Sequence, residues 1–129
     1  MSWRSPLGRV RGYGSAKEGV SHWWTQRLTS IALIPLSCWF VVSLLALPQL
    51  DHATVTAWMS GGVTALLLVL FVLTACWHSQ LGLRVIIEDY VHEEGMKTLV
   101  LVLVGFAHVV LAAAGVLAVL RVALAWSVR

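Results

Sequence analysis

Apolar residues fall in three long runs separated by short polar breaks. Residues 28–47 form 20 positions without a charge; residues 58–83 form 26, with His78 their only imidazole; residues 98–120 form 23, interrupted by His108 alone. About 20 residues of helix cross the hydrocarbon core of a bilayer, and in lipid a helix satisfies its own backbone hydrogen bonds. The pattern predicts an all-α integral membrane protein with three transmembrane helices, at about 28–47, 58–90 and 98–124. Together they make one membrane-anchor domain over residues 1–129. Pro35 inside the first run predicts a local kink, with Ser37 or a neighbouring helix serving the freed carbonyl.

The breaks are short. Residues 48–52 follow the first run, and a charged stretch, residues 84–97, follows the second; within it Gly95 reads as a helix C-cap or turn residue. Residues 1–27 are polar and basic and read as a cytoplasmic segment. They lack the apolar stretch and small-residue cleavage site of a signal peptide.

Composition narrows the class. Hydrophobic residues make up 59% of the 129 and charged residues 12%, against about 45–50% and about 25% in a typical soluble domain. Mean hydropathy is +0.84. A soluble domain this small could not bury so much apolar surface, and a disordered chain would not carry it. Two cysteines, Cys38 and Cys76, both lie in the runs and read as packing residues. They exclude a disulfide-stapled scaffold.

Charge orients the chain. Arg4, Arg9, Arg11, Lys17 and Arg27 precede the first run, and Arg84 and Lys97 follow the second, so seven cations share one side. Arg121 and Arg129 are the two on the other. The positive-inside rule places the N-terminal side in the cytoplasm or matrix. A bacterial inner membrane is the expected location, ahead of a mitochondrial one. Trp23, Trp24, Trp58 and Trp126 sit near the run ends, as an aromatic belt would.

Histidine inside a membrane is costly and marks a functional hypothesis. His78 and His108 reach comparable depth in antiparallel helices. Either they ligate one haem within this chain, as two imidazoles do in low-spin electron carriers, or each hydrogen-bonds a neighbouring helix. Gly82 shares the His78 face four residues on, leaving room for a flat macrocycle or for another helix. Asp89 and Tyr90 follow at the interface. A phenol there can donate a hydrogen bond to a quinone carbonyl, with the carboxylate beside it, or simply anchor the helix in a solvated acidic loop. Arg27 can hold a haem propionate or snorkel to headgroups. His22 lies at the same interface.

These residues together resemble the hydrophobic membrane anchor subunit of succinate dehydrogenase (complex II), of the alphaproteobacterial and mitochondrial-like kind. The resemblance covers most of the chain, beginning with residues 4–12 and 14–19, then His22-Trp23-Trp24 and Gln26-Arg27-Leu28-Thr29-Ser30-Ile31-Ala32-Leu33. Its most specific element is His78, Gly82 four residues later, and Asp89-Tyr90 at eleven and twelve. The resemblance implies three transmembrane helices paired with a second anchor, the cytochrome b subunit, in a heterodimeric helical bundle. It implies haem b shared between the two anchors, an iron–sulfur subunit and a flavoprotein docked above them, and ubiquinone as electron acceptor. It implies His78 as an axial ligand of the haem iron, Arg27 and His22 at the haem, and Tyr90 with Asp89 at the quinone. Because the second ligand then comes from the other anchor, His108 is left to packing or hydrogen bonding. No catalytic residue is expected in this chain: succinate is oxidised elsewhere in the complex. The alternative is a non-enzymatic three-helix scaffold or transporter subunit, with the histidines as packing or proton-relay groups.

Overall fold

The computed structural model describes residues 17–127, which form four helices: α1 (Lys17–Leu45), α2 (His52–Met59), α3 (Gly62–Tyr90) and α4 (Glu94–Ser127). Arg4, Arg9, Arg11, Arg129 and the opening motif at 4–12 lie outside the described residues. Three helices carry stretches long and apolar enough to cross a membrane, Val20–Leu45, Gly62–Tyr90 and Glu94–Ala125. They are the three predicted from the runs.

The helix boundaries differ from those read off hydropathy, because hydropathy reports the bilayer crossing and not the length of the helix. α1 starts at Lys17 and not near 28. Its polar first turns carry their own support: the Thr25 hydroxyl donates to the Ser21 carbonyl at 2.8 Å, and the Arg27 guanidinium lies 5.3 Å from the Trp23 ring centre. At 29 residues α1 is about 44 Å long, well beyond an apolar core of about 30 Å. The helix runs on through Pro35.

α2 is a separate short helix where the sequence pattern reads the start of the second span. Asp51 caps it, its carboxylate accepting the Thr54 N–H at 2.9 Å; hydrogen bonding from Thr54 holds that carboxyl below the usual aspartate range. Gly61, in an extended conformation, then opens α3. The connection from α3 to α4 is only residues 91–93. Glu93 starts α4 early: one carboxylate oxygen accepts the Gly95 N–H at 2.9 Å and the other accepts the Met96 N–H. These bonds hold the Glu93 carboxyl below the usual glutamate range. Gly95 is therefore inside the first turn of α4, where the sequence suggested a helix end. A Cβ there would sit 3.0 Å from the Glu93 carboxylate.

α3 is the central helix. It packs against α1 on one side and α4 on the other, while α1 and α4 make no close backbone contact among the described residues. At the far end, opposite Lys17 and Tyr90, Ala65 and Leu68 of α3 and Val119 of α4 are buried. Trp39, Phe40 and Trp58 close over them. Trp58 stacks on Trp39 at 6.0 Å, and Phe40 stacks on Phe71 at 5.2 Å. Trp58 is thus a packing residue joining α2 to α1, whereas Trp23 and Trp24 are exposed as belt residues would be. Between α3 and α4 the approach is close: a Cβ on Gly115 would meet Val72 Cγ1 at 2.7 Å.

Two outcomes are expected. Gly115→Ala should lower stability by about 1–3 kcal/mol through overpacking against a stiff β-branched side chain, and Val72→Ala in the same chain should recover most of it; denaturation in mild detergent reads both. Because its pKa is depressed in the folded chain, the Glu93 cap should be fully present above the ordinary glutamate value, near 4.5, and be lost as pH falls through the lowered one. Amide-exchange protection of Gly95 and Met96, corrected for intrinsic rates, should follow that curve and flatten in Glu93→Gln.

Candidate functional site

A polar seam runs between α1 and α3 in the half of the bundle nearest Lys17 and Tyr90. On α1, His22, Gln26 and Thr29 recur at helical spacing and share one face. That face meets His78 and Gly82 of α3. Thr29 is 7% exposed, the one buried polar residue among those described. Its hydroxyl lies 3.0 Å from His78 Nδ1, and also 2.9 Å and 3.0 Å from the carbonyls of Thr25 and Gln26. His78 is half-buried. Its Nε2 has no hydrogen-bond partner among the described residues, and it is not one of the buried orphan atoms.

The buried orphans lie a turn or two away. His22 Nε2 and Gln26 Oε1 are enclosed with no hydrogen-bond partner among the described residues, an arrangement that costs about 1–3 kcal/mol per group. His22 also lines an open cleft of about 620 Å³, with Thr25, Trp77, Leu81, Arg84 and Glu88. Gly82 lies beneath Gln26, whose Nε2 would be 3.8 Å from a Cβ there. That is ordinary contact, so packing within this chain does not require glycine at 82.

The remaining candidates lie apart from the seam. Arg27 is exposed and rests on Trp23. Two residues from Thr29, it points about 160° away around the helix. Tyr90 is 78% exposed at the last turn of α3, with Asp89 exposed beside it. Twelve residues of helix put Tyr90 about 18 Å from His78 along the axis. The structure thus brings His22 and His78 to one seam, leaves Asp89 and Tyr90 exposed at the end of α3 about 18 Å from His78, and puts Arg27 on the outer face. Arg84 pairs with Glu88 at 2.8 Å, both side chains about half exposed, a contact worth little in screened surroundings.

His108 is on the other side of α3. Its Nδ1 lies 2.8 Å from the Val104 carbonyl and its Nε2 3.2 Å from the Ser79 hydroxyl. The carbonyl can only accept, so Nδ1 carries the proton and Nε2 accepts from Ser79. With both nitrogens engaged, His108 ties α4 to α3. This is the hydrogen-bonding arrangement read from the sequence as one of its two alternatives. Among the described residues no three His, Cys, Asp or Glu side chains gather as a metal cluster.

Comparison with known proteins decides the family. Residues 1–113 match the family described as succinate dehydrogenase/fumarate reductase transmembrane subunit. The chain belongs to that family. It is 28% identical over 117 residues to the succinate dehydrogenase hydrophobic membrane anchor subunit of Rickettsia bellii, covering 91% of this chain and 94% of that one. It is 31% identical to the subunit of the same name from Paracoccus denitrificans, over 88% of each chain. It is 32% identical to the succinate dehydrogenase membrane anchor subunit of Reclinomonas americana, over 60% of this chain and 68% of that one. No solved structure matches. As a transmembrane subunit of this family, the chain is a multi-pass membrane protein and part of an enzyme, not its catalytic centre.

Thr29 and Ser79 are the residues that sequence reasoning missed as partners. They stand 49 and 29 positions from His78 and His108, so no local spacing joins them. The only signal is a hydroxyl within an apolar run. Ser79→Ala and His108→Phe should each loosen α3 from α4 by about 0.5–2 kcal/mol, with the double variant no worse than the single ones. A double-mutant cycle in mild detergent measures it.

Proposed function

We propose that this chain is the hydrophobic membrane anchor of a succinate dehydrogenase, binding haem b through His78 and presenting Tyr90 to ubiquinone. The observation that carries the reading is His78 itself: an imidazole inside a span, held at Nδ1 and with Nε2 unpartnered, at the family position followed by Gly82, Asp89 and Tyr90. A second anchor, the cytochrome b subunit, completes a heterodimeric bundle and would supply the other ligand to the iron. The iron–sulfur subunit and flavoprotein dock at the Lys17–Tyr90 end, which faces the cytoplasm across a bacterial inner membrane.

The residues fit the haem in part. The open Nε2 of His78 suits an iron ligand, whereas the Gln26 side chain lies over Gly82. His22 adjoins the same seam, its enclosed Nε2 in want of a partner. Arg27 reaches a propionate only if the macrocycle's edge passes the outer face of α1. Bound there, haem would supply a one-electron store. This chain's residues hold it, exclude water from it and pin the two anchors together.

At the rim, Tyr90 donates its phenolic hydrogen to a quinone carbonyl. That oxygen becomes more basic as electrons arrive from the iron–sulfur subunit, so the bond strengthens along the reaction. Such an interaction accelerates reduction and does more than tighten binding. Asp89, next in sequence, orients the phenol or passes a proton.

Two variants of the intact complex test the proposal. His78→Ala should abolish the b-type band of the dithionite-reduced minus oxidised spectrum; an unchanged band would refute the ligand assignment. Tyr90→Phe should slow succinate-driven quinone reduction at least about tenfold while leaving electron delivery to a soluble dye intact. Normal quinone turnover would remove Tyr90 from the site.

A further inference from the structure

We infer that Thr29 is a positioning residue for His78: its hydroxyl holds the imidazole in the tautomer with the proton on Nδ1, leaving the Nε2 lone pair free. The hydroxyl has one proton and three neighbours within 3.0 Å, the carbonyls of Thr25 and Gln26 and the His78 ring nitrogen. Carbonyls only accept. Given to either of them, the proton leaves the oxygen's lone pairs facing Nδ1, which must then donate.

The rest of the chain favours this direction. Thr25, Ser30, Thr56 and Thr98 each donate to the carbonyl four residues back, the usual habit of a helical hydroxyl. The opposite direction would put the ring proton on Nε2, where no acceptor lies in reach among the described residues. An N–H without a partner is the rarer and costlier orphan, the more so in lipid. Thr29 is buried, so its hydroxyl cannot turn to water instead.

His108 is the contrast within the same molecule. It too carries its proton on Nδ1, donated to Val104, but its Nε2 is used by Ser79. Of the two intramembrane histidines, only His78 keeps an unshared nitrogen. A metal-bound imidazole needs its second N–H held to fix tautomer and ring orientation. Thr29 supplies that hold from α1, so the seam between α1 and α3 sets up the ligand. The tautomer stands on the geometry alone; its use for iron rests on the haem reading above.

Histidine-selective ¹⁵N–¹H correlation on the full-length haem-free chain in detergent, combined with haem titration, tests this. In the wild type the His78 proton should sit on Nδ1; in Thr29→Val it should move to Nε2, and in Thr29→Ser it should stay. Half-saturation with haem in the intact complex should need at least about tenfold more haem in Thr29→Val, with Thr29→Ser near wild type. Unchanged His108 signals show that each variant keeps its packing. A wild-type proton on Nε2, or haem titrations indistinguishable between the valine variant and wild type, would overturn the inference. A wild-type Nδ1 proton in a complex that takes up no haem would uphold the tautomer and overturn the haem reading instead.

Discussion

Within hydrocarbon a polar side chain has no water to fall back on, so each must find its partner in protein. In this chain that requirement is met chiefly by two adjacent residues of the central helix. His78 reaches Thr29 on α1, and Ser79 reaches His108 on α4. Successive residues of a helix point about 100° apart, so one step of sequence ties α3 to both of its neighbours. α1 and α4 then need not pack together, and among the described residues their backbones make no close approach. The bundle opens into a row of helices with α3 in the middle, and large apolar faces are left for lipid or another subunit. Of the most apolar window of each span only 6%, 11% and 0% is buried.

The two ends of the row differ in what holds them. The far end is packed by aromatic rings, with Trp58 of α2 stacked against α1 over the buried side chains of α3 and α4. The near end has fewer apolar contacts and more polar ones, two of them unmet at His22 and Gln26. A packed aromatic end and an open polar end, where His78 Nε2 has no hydrogen-bond partner among the described residues, give the bundle a polarity along its length. The match to the succinate dehydrogenase/fumarate reductase transmembrane family gives that polarity its biological frame.

Much of this was legible in the sequence, and the gaps have physical causes. The three crossings were plain because lipid imposes a length of apolar helix. The true starts of α1 and α4 were not, because those turns lie beyond the apolar core and are fixed by local contacts such as Glu93 to Gly95. α2 was not read because most of it lies between the polar break at 48–52 and the second apolar run and is too short to show a pattern, although Asp51 is a recognisable cap. His78 stood out as an ionisable group in a span. Its partner did not, since threonine is unremarkable in a membrane helix and the pair is joined only by the folding of α1 onto α3. Arg27 shows the converse. It is a near neighbour of Thr29 in sequence, yet the helix turns it to the outer face, and knowing that requires knowing which side of α1 meets α3.

On the proposed reading, the α1–α3 seam presents His78 outward to an iron shared with another subunit. An experimental map of the intact assembly at side-chain resolution would decide it. The expected density is a macrocycle whose iron is bound by His78 Nε2, with the Thr29 hydroxyl still near 3.0 Å from Nδ1. Another protein helix packed against Nε2, with no iron beside it, would rule that reading out.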